Sequence, residues 1–229
     1  MRRVREQGLT LFFLAIFLAA LAGQAIAGFH LYNADQIEHA RLLGQAPETI
    51  SFGRYLTSSH FAQATTENWQ SEYLQFSLYV IATVWLVQKG STESKKPGEE
   101  GRESDEEQKV GRYADPDSPR WARVGGWRTR LYENSLLLVM TVISLWSWFG
   151  QSVSGWSEYN ADQLDHKQPV VSWLGYITSS DFWFTTLQNW QSEFLAVGSF
   201  AAFTVYLRQR GSPESKPVGA AHTDTGVEG

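Results

Sequence analysis

Two stretches of the chain carry only apolar and uncharged side chains. Residues 8–29 and 135–157 contain no Asp, Glu, Lys or Arg. At about 1.5 Å per helical residue, each is long enough to cross a hydrocarbon layer roughly 30 Å thick. This pattern predicts two membrane-spanning helices.

Two further helices are predicted where Trp-Gln-Ser-Glu leads into an apolar run. The stretch ENWQSEYLQF lies at 67–76 and QNWQSEFLAV at 188–197. Counted from the Thr-Ser-Ser upstream of each, the helices cover 58–88 and 179–208. At about 46 Å, the first would begin outside the hydrocarbon.

These four helices form two copies of one unit. YNADQ at 32–36 returns at 159–163, and GRYLTSS at 53–59 returns as GYITSS at 175–180. The second copy is six residues shorter between these motifs. We place the deletion in a loop near Gln45–Ser51, because surface loops tolerate length changes.

The repeat predicts both the fold class and the domain organisation. Two helices per copy give both copies the same orientation, which predicts an all-α membrane four-helix bundle made of two tandem hairpins in parallel topology. The first hairpin occupies 1–90, a disordered linker 91–119, an interfacial segment with the second hairpin 120–208, and a disordered tail 209–229. Low apolar content and mixed charge favour disorder in the linker and tail.

The distribution of basic residues predicts the orientation. With both termini and the linker in the cytoplasm, all Lys and Arg except Arg41, Arg54 and Lys167 lie inside. The opening MRRVR, an apolar core and AIA before Gly28 also fit a cleavable signal peptide. Because the same design recurs around Gly150-Gln151, we favour a retained first helix.

Capping motifs account for much of the repeated outer-loop sequence. Asn33 and Asn160 are predicted helix N-caps, each with Gln at the third helical position. In the same way, Thr57 and Thr178 are predicted N-caps of the long second helices.

Polar residues of the spans are predicted to share one level. Counted at about 1.5 Å per residue from the inner boundary, Glu72 and Glu193 lie about 22 Å above it, level with Gln24 and Gln151. Asn68 and Asn189 lie one turn outward on the same helical faces. We expect this polar layer to face the interior of the bundle or to reach the interface, since an ionised carboxylate facing lipid is unfavourable.

Three interpretations of the polar layer remain open. The side chains could hydrogen-bond between helices and hold the bundle together. The glutamate pair could carry protons or cations. The glutamates could instead extend towards lipid headgroups. Separately, Trp69 and Trp190 are predicted anchors at the outer interface, and Trp121 and Trp127 are predicted anchors on the cytoplasmic side.

Other chemistry has weaker support. His39 shares a helical face with Asp35, and His166 with Asp162, as a divalent metal site or a pH sensor would require, but a solvated polar turn with a surface histidine explains both pairs better. The chain has no Cys and no catalytic motif such as H-E-x-x-H or G-x-S-x-G. We therefore expect no enzyme, no cofactor and no nucleic-acid partner.

The repeated motifs also resemble a known family. Asn68-Trp69-Gln70-Ser71-Glu72, its match at 189–193 and the closing Lys-Gly-Ser-x-Glu-Ser-Lys are similar to small bacterial membrane proteins catalogued only as a domain of unknown function. The resemblance implies a bacterial inner-membrane protein and supplies no activity. The sequence thus predicts a structural or interaction protein of the lipid bilayer, with a homo-oligomer left open. The alternative is a small proton- or cation-linked transporter or channel.

Overall fold

The described part of the chain consists of helices joined by turns and irregular segments. The structure, a computed structural model, describes residues 6–227, and this range contains no strand. The helices in chain order are α1 Gly8–Leu43, α2 Phe52–Leu56, α3 Ser59–Trp85, α4 Arg120–Arg123, α5 Gly126–Glu133, α6 Ser135–Asp165, α7 Trp173–Ile177 and α8 Ser180–Tyr206. The all-α prediction is confirmed. The basic Arg2, Arg3 and Arg5 lie outside the described residues.

Two helices are long and apolar enough to cross a membrane. Helix α1 has a mean hydropathy of 2.3 over its most apolar stretch and α6 has 1.6. Their apolar stretches are also poorly covered by protein, with 6% and 22% of the residues buried. Helices α3 and α8 are long enough, at 27 residues each, but less apolar, so four spans remain a prediction.

The predicted N-caps at Asn33 and Asn160 are wrong. Both residues lie within continuous helices, since α1 runs on to Leu43 and α6 to Asp165. No Pro interrupts either helix before its end, so the local capping signature did not outweigh helix propagation. Helix α1 stops at Gly44, whose φ of 68° is the left-handed conformation that glycine adopts without strain.

The predicted caps of the long second helices are wrong by one residue. Ser179 is the N-cap of α8, and its hydroxyl accepts from the Phe182 amide at 3.2 Å. Ser58 accepts from the Phe61 amide at the same distance. Thr57 and Thr178 instead donate to carbonyls of the preceding short helices, at 3.1 Å to Arg54 and 2.9 Å to Leu174. Each threonine therefore ends one helix and the following serine starts the next.

The length difference between the copies lies in a helix. Helix α1 has 36 residues and α6 has 31, so five of the six missing residues shorten the helix. The following loops, 44–51 and 166–172, differ by one residue. The expectation of a loop deletion is therefore wrong.

The chain forms two compact units. Unit 1 contains residues 1–65 and 151–173, and unit 2 contains 66–150 and 174–229. Each unit thus combines residues from both copies of the repeat.

The linker and tail, for which the sequence predicted disorder, form turns held by hydrogen bonds. Ser94 accepts from the Gln88 amide and Ser215 from the Gln209 amide, both at 2.8 Å. The Lys216 ammonium donates to three backbone carbonyls at 3.0–3.1 Å and is 1% exposed. Polar side chains bonding to the backbone replace the apolar core that these segments lack.

Candidate functional site

The repeated Asn-Trp-Gln-Ser-Glu motif forms a buried hydrogen-bonded group in unit 2. Gln70 is 1% exposed, and its side-chain oxygen accepts from the indole N–H of Trp190 at 2.8 Å. Its amide nitrogen donates to the Glu67 carbonyl at 3.0 Å. The Ser144 hydroxyl, also buried, donates to the Gln70 carbonyl at 2.8 Å. Both ends of the Gln70 amide are thus occupied by protein groups.

Aromatic rings surround this hydrogen-bonded group. Trp148 packs against Phe182, Trp183 and Trp190 with ring centroids 6.0, 6.0 and 6.2 Å apart. Close by in sequence, Gly150 lies against the Thr66 methyl group, which would be 3.2 Å from an added Cβ. The small residue permits close helix packing, as expected for helices in lipid.

The two glutamates of the motif lie near each other but are not enclosed. Glu72 is exposed and Glu193 is partly exposed. The two carboxylates are close enough for their charges to interact. The transport interpretation of this pair stays a prediction.

The other predicted polar-layer residues have different degrees of exposure. Gln151 is 1% exposed, and its side-chain oxygen and nitrogen have no hydrogen-bond partner. Gln24 and Asn68 are exposed, and Asn189 is partly exposed, donating to the Thr185 carbonyl at 3.0 Å. Gln24 and Gln151 belong to unit 1 and the remaining members to unit 2.

In unit 1, Asn33 and Asn160 each hold a loop against a helix. Asn33 donates to the Ile50 carbonyl at 3.1 Å and accepts from the Ile50 amide at 2.8 Å. Asn160 makes the same pair of bonds with Val171, at 3.0 and 2.8 Å. We call these contacts the asparagine clamps. Each fixes the chain just before the short helix α2 or α7.

A buried tyrosine packs against the first helix of copy one. Tyr55 is 1% exposed and lies so close to Gly28 that any side chain there would collide with its ring. Its hydroxyl is 3.4 Å from His60 Nδ1. Burial, and secondarily the charge of Glu158, raise the pKa of Tyr55 above its ordinary value. The phenol therefore stays neutral and contributes packing.

The histidines considered as metal ligands are not gathered into a metal site. His166 and Asp162 approach to 3.3 Å, a single exposed pair. Throughout 6–227, no group of three His, Asp or Glu side chains is placed to hold a metal ion. Asp35 is exposed and His39 partly buried.

The four predicted tryptophan anchors differ in their surroundings. Trp127 is 67% exposed and packs edge-to-face against Trp121, 40% exposed, with the Arg128 guanidinium over the Trp127 ring. Trp69 is 37% exposed. Trp190 is partly exposed, and its indole N–H is bonded to Gln70.

Sequence reasoning missed the central role of Gln70 and Ser144. A signal was present in α6, where Ser144, Trp148 and Gln151 follow the i, i+4, i+7 spacing of one helical face. No local pattern, however, distinguished Gln70 from its equivalent Gln191.

Comparison with known proteins places the chain in a family. No curated protein and no solved structure matches it. One family model, described as Domain of unknown function (DUF6766), matches residues 1–227. The chain therefore belongs to the Domain of unknown function (DUF6766) family.

Proposed function

We propose that the protein is a non-enzymatic, multi-pass protein of the bacterial inner membrane, with a structural or interaction role. In this proposal the lipid bilayer is its first partner, both termini are cytoplasmic and no cofactor is needed. The observation that carries the proposal is the Gln70 amide, whose oxygen and nitrogen are both occupied by protein groups. A buried residue used in this way stabilises a helix assembly.

The exposed apolar surface supports the membrane location. Helix α1 exposes large apolar side chains along its length, among them Leu9 at 75% and Phe13 at 60%. A continuous surface of this kind is unfavourable in water and is expected in lipid. Helices α3 and α8 also expose apolar residues, including Phe76, Ile81, Leu195 and Phe203, which supports their assignment as further spans.

Hydrogen bonding between the two copies supports the structural role. Ser144 and Trp190 of the second copy both bond to Gln70 of the first. In membrane proteins such bonds contribute about 1 kcal/mol each. They hold together helices that lipid alone does not drive to associate.

Cysteine labelling tests the location and topology, because the chain has no native Cys. Ser104→Cys in the linker and Gln45→Cys in the first outer loop are treated with a membrane-impermeant maleimide. We expect Gln45→Cys to react in cells with a permeable outer membrane and Ser104→Cys only after the inner membrane is opened. Reaction of Ser104→Cys in intact cells would contradict the proposed orientation.

A proton or cation pathway is a second candidate, favoured by the interacting charges of Glu72 and Glu193. Proteoliposomes containing the wild type, the Glu72→Gln/Glu193→Gln double variant or the linker control Glu99→Gln distinguish the two functions. The structural role predicts proton and monovalent-cation flux at the background of empty liposomes for all three. Flux above background that only the double variant abolishes would establish transport and reject the structural role.

A further inference from the structure

Unit 2 contains a cavity of about 380 Å³ that the polar layer does not use. It lies between the end of α3, the start of α6 and the linker segment 95–110. Pockets of a few hundred cubic ångströms suit small ligands or lipid headgroups. The linker residues therefore form one wall of a ligand-sized space.

Contacts around Gly101 hold the linker wall in place. The Gly101 amide donates at 2.7 Å to the Val84 carbonyl, one of the groups left without an intrahelical partner at the end of α3. Gly101 lies against the Trp85 ring, and its φ of +99° requires glycine. The Lys95 ammonium donates to the Gly101 carbonyl at 2.8 Å. Hydrogen bonds and ring contacts therefore fix this linker segment to the C-terminal end of α3.

The cavity has one apolar and one charged side. Five aliphatic side chains from the two helix ends form the apolar side, namely Val80, Ile81, Val84, Leu136 and Leu137. The charged residues in its lining are Lys95, Arg102, Glu103, Asp105 and Glu133. This division suits an amphiphile with a short apolar contact and a charged head.

The ion pairs among these charged residues indicate which charges the polar end of the ligand must have. Lys95 is neutralised by Glu103 at 2.7 Å. Arg102 bonds only to the neutral Asn134 side chain, at 3.0 Å, so its charge is uncompensated. Asp105 and Glu133 form no ion pair within the described part of the chain. One free cation and two free carboxylates call for a ligand with both an anionic and a cationic group.

The cationic group should be a primary ammonium. Carboxylates accept hydrogen bonds, which a primary ammonium donates and a quaternary ammonium does not. A quaternary ammonium is instead bound within aromatic cages, whereas Trp85 is the single aromatic residue in the cavity lining. Three carboxylates against two cations also disfavour a ligand with several negative charges.

We propose that this cavity binds the headgroup of phosphatidylethanolamine. Arg102 binds the phosphate, Glu133 and Asp105 accept from the ammonium, and the glycerol end lies against the aliphatic side. The lipid source rests on the proposed membrane location, because both helix ends would then lie at the cytoplasmic headgroup level.

Native mass spectrometry of the full chain in detergent tests the proposal. The probes are short-chain phosphatidylethanolamine, phosphatidylcholine and phosphatidylglycerol with identical acyl chains, together with free O-phosphoethanolamine. We expect phosphatidylethanolamine to bind at least about tenfold more tightly than the other two lipids, the contribution of about one charge-assisted hydrogen bond. It should also bind more tightly than free O-phosphoethanolamine, which keeps the ammonium but lacks the apolar contact. Equal affinities among the three lipids, or no binding, would overturn the proposal.

Variants locate the binding. Arg102→Gln and Glu133→Gln are each expected to weaken phosphatidylethanolamine binding about tenfold, whereas Lys96→Gln and Glu99→Gln, in the same segment but outside the cavity lining, leave it unchanged. Circular dichroism confirms that each variant keeps its helices. If Arg102→Gln and Glu133→Gln bind as the wild type does, the site is wrong.

Two outcomes separate this proposal from the proposed function. If free O-phosphoethanolamine binds as tightly as the lipid, the headgroup chemistry is right and the lipid source is overturned. If the protein fractionates away from the membrane, the proposed location is wrong, and the affinities for the short-chain probes still decide the site.

Discussion

The two copies of the repeat make the same hydrogen bonds near the ends of their long helices, but their shared central motif is buried to different degrees. The asparagine clamps have the same geometry in both copies, and so do the Ser94 and Ser215 bonds that follow the long helices. In the shared Asn-Trp-Gln-Ser-Glu motif, however, Gln70 is buried and Gln191 is exposed. The clamps and the serine bonds, each made within one copy, therefore occur twice, whereas the bond between Gln70 and Trp190 uses one residue from each copy.

The largest expected effect separates Gln70 from Gln191. Gln70→Ala leaves the Trp190 N–H without its partner and opens a cavity, and we expect it to lower the free energy of unfolding by about 3 kcal/mol. Gln191→Ala should change it by less than about 0.5 kcal/mol, because the side chain is exposed. Thermal melting in detergent measures both. Equal losses would show that the copies are symmetric in this region.

The clamps should respond alike in both copies. Asn33→Ala and Asn160→Ala each remove two hydrogen bonds to a loop backbone, and we expect a loss of about 2 kcal/mol from each. Asp35→Ala, an exposed neighbour of Asn33, serves as the control and should be near neutral. A clear difference between the two clamp variants in melting temperature would contradict the equivalence of the copies at this end.

The serine contacts after the long helices are a smaller test of the same equivalence. Ser94→Ala and Ser215→Ala each free one backbone amide, for an expected cost of about 1 kcal/mol. Hydrogen exchange at the Gln88 and Gln209 amides reports the effect directly. Faster exchange in the wild type than in the variants would rule out these bonds.

The smallest expected effect is a pH dependence that arises between the copies, where Glu93 meets its equivalent, Glu214. The pKa of Glu214 is raised, mainly by its hydrogen bond with Glu93 and also by the charge of Glu93. The folded protein therefore binds this proton more tightly than the unfolded chain. The stabilisation is complete below the ordinary pKa of Glu and is lost as the pH rises through the raised value.

Melting temperatures measured at about pH 4 and about pH 7 test the pH-dependent stabilisation by Glu214. Because Glu214 is largely exposed, we expect a shift of only a few degrees, and Glu214→Gln should reduce it by keeping the hydrogen bond without the titration. An unchanged pH dependence in Glu214→Gln would assign the effect to other groups.

The sequence predicted the helices better than their ends. The apolar runs and the repeat placed all four long helices, because length and periodicity are strong signals. Asn33 and Thr57 were misassigned because a short polar side chain bonds equally well to its own helix start or to a distant backbone. Only the fold decides which of these it does.

The sequence pointed to the repeated motif but not to the contacts that it makes. The sequence identified the Asn-Trp-Gln-Ser-Glu motif, yet emphasised Glu72 over Gln70. Two identical motifs have identical local signals, and burial distinguishes them only after the copies pack. The linker cavity was missed for a similar reason, since its charged residues resemble a solvated, mobile segment when read along the chain.

The extra length of α1 distinguishes the two copies beyond their clamps. Beyond its clamp, α1 continues for ten residues to Leu43, whereas α6 continues for five to Asp165. At about 1.5 Å per residue, the first projects about 7 Å further. The two copies therefore end in helices of unequal length beyond equivalent clamps, so the internal repeat of the chain is not an exact twofold.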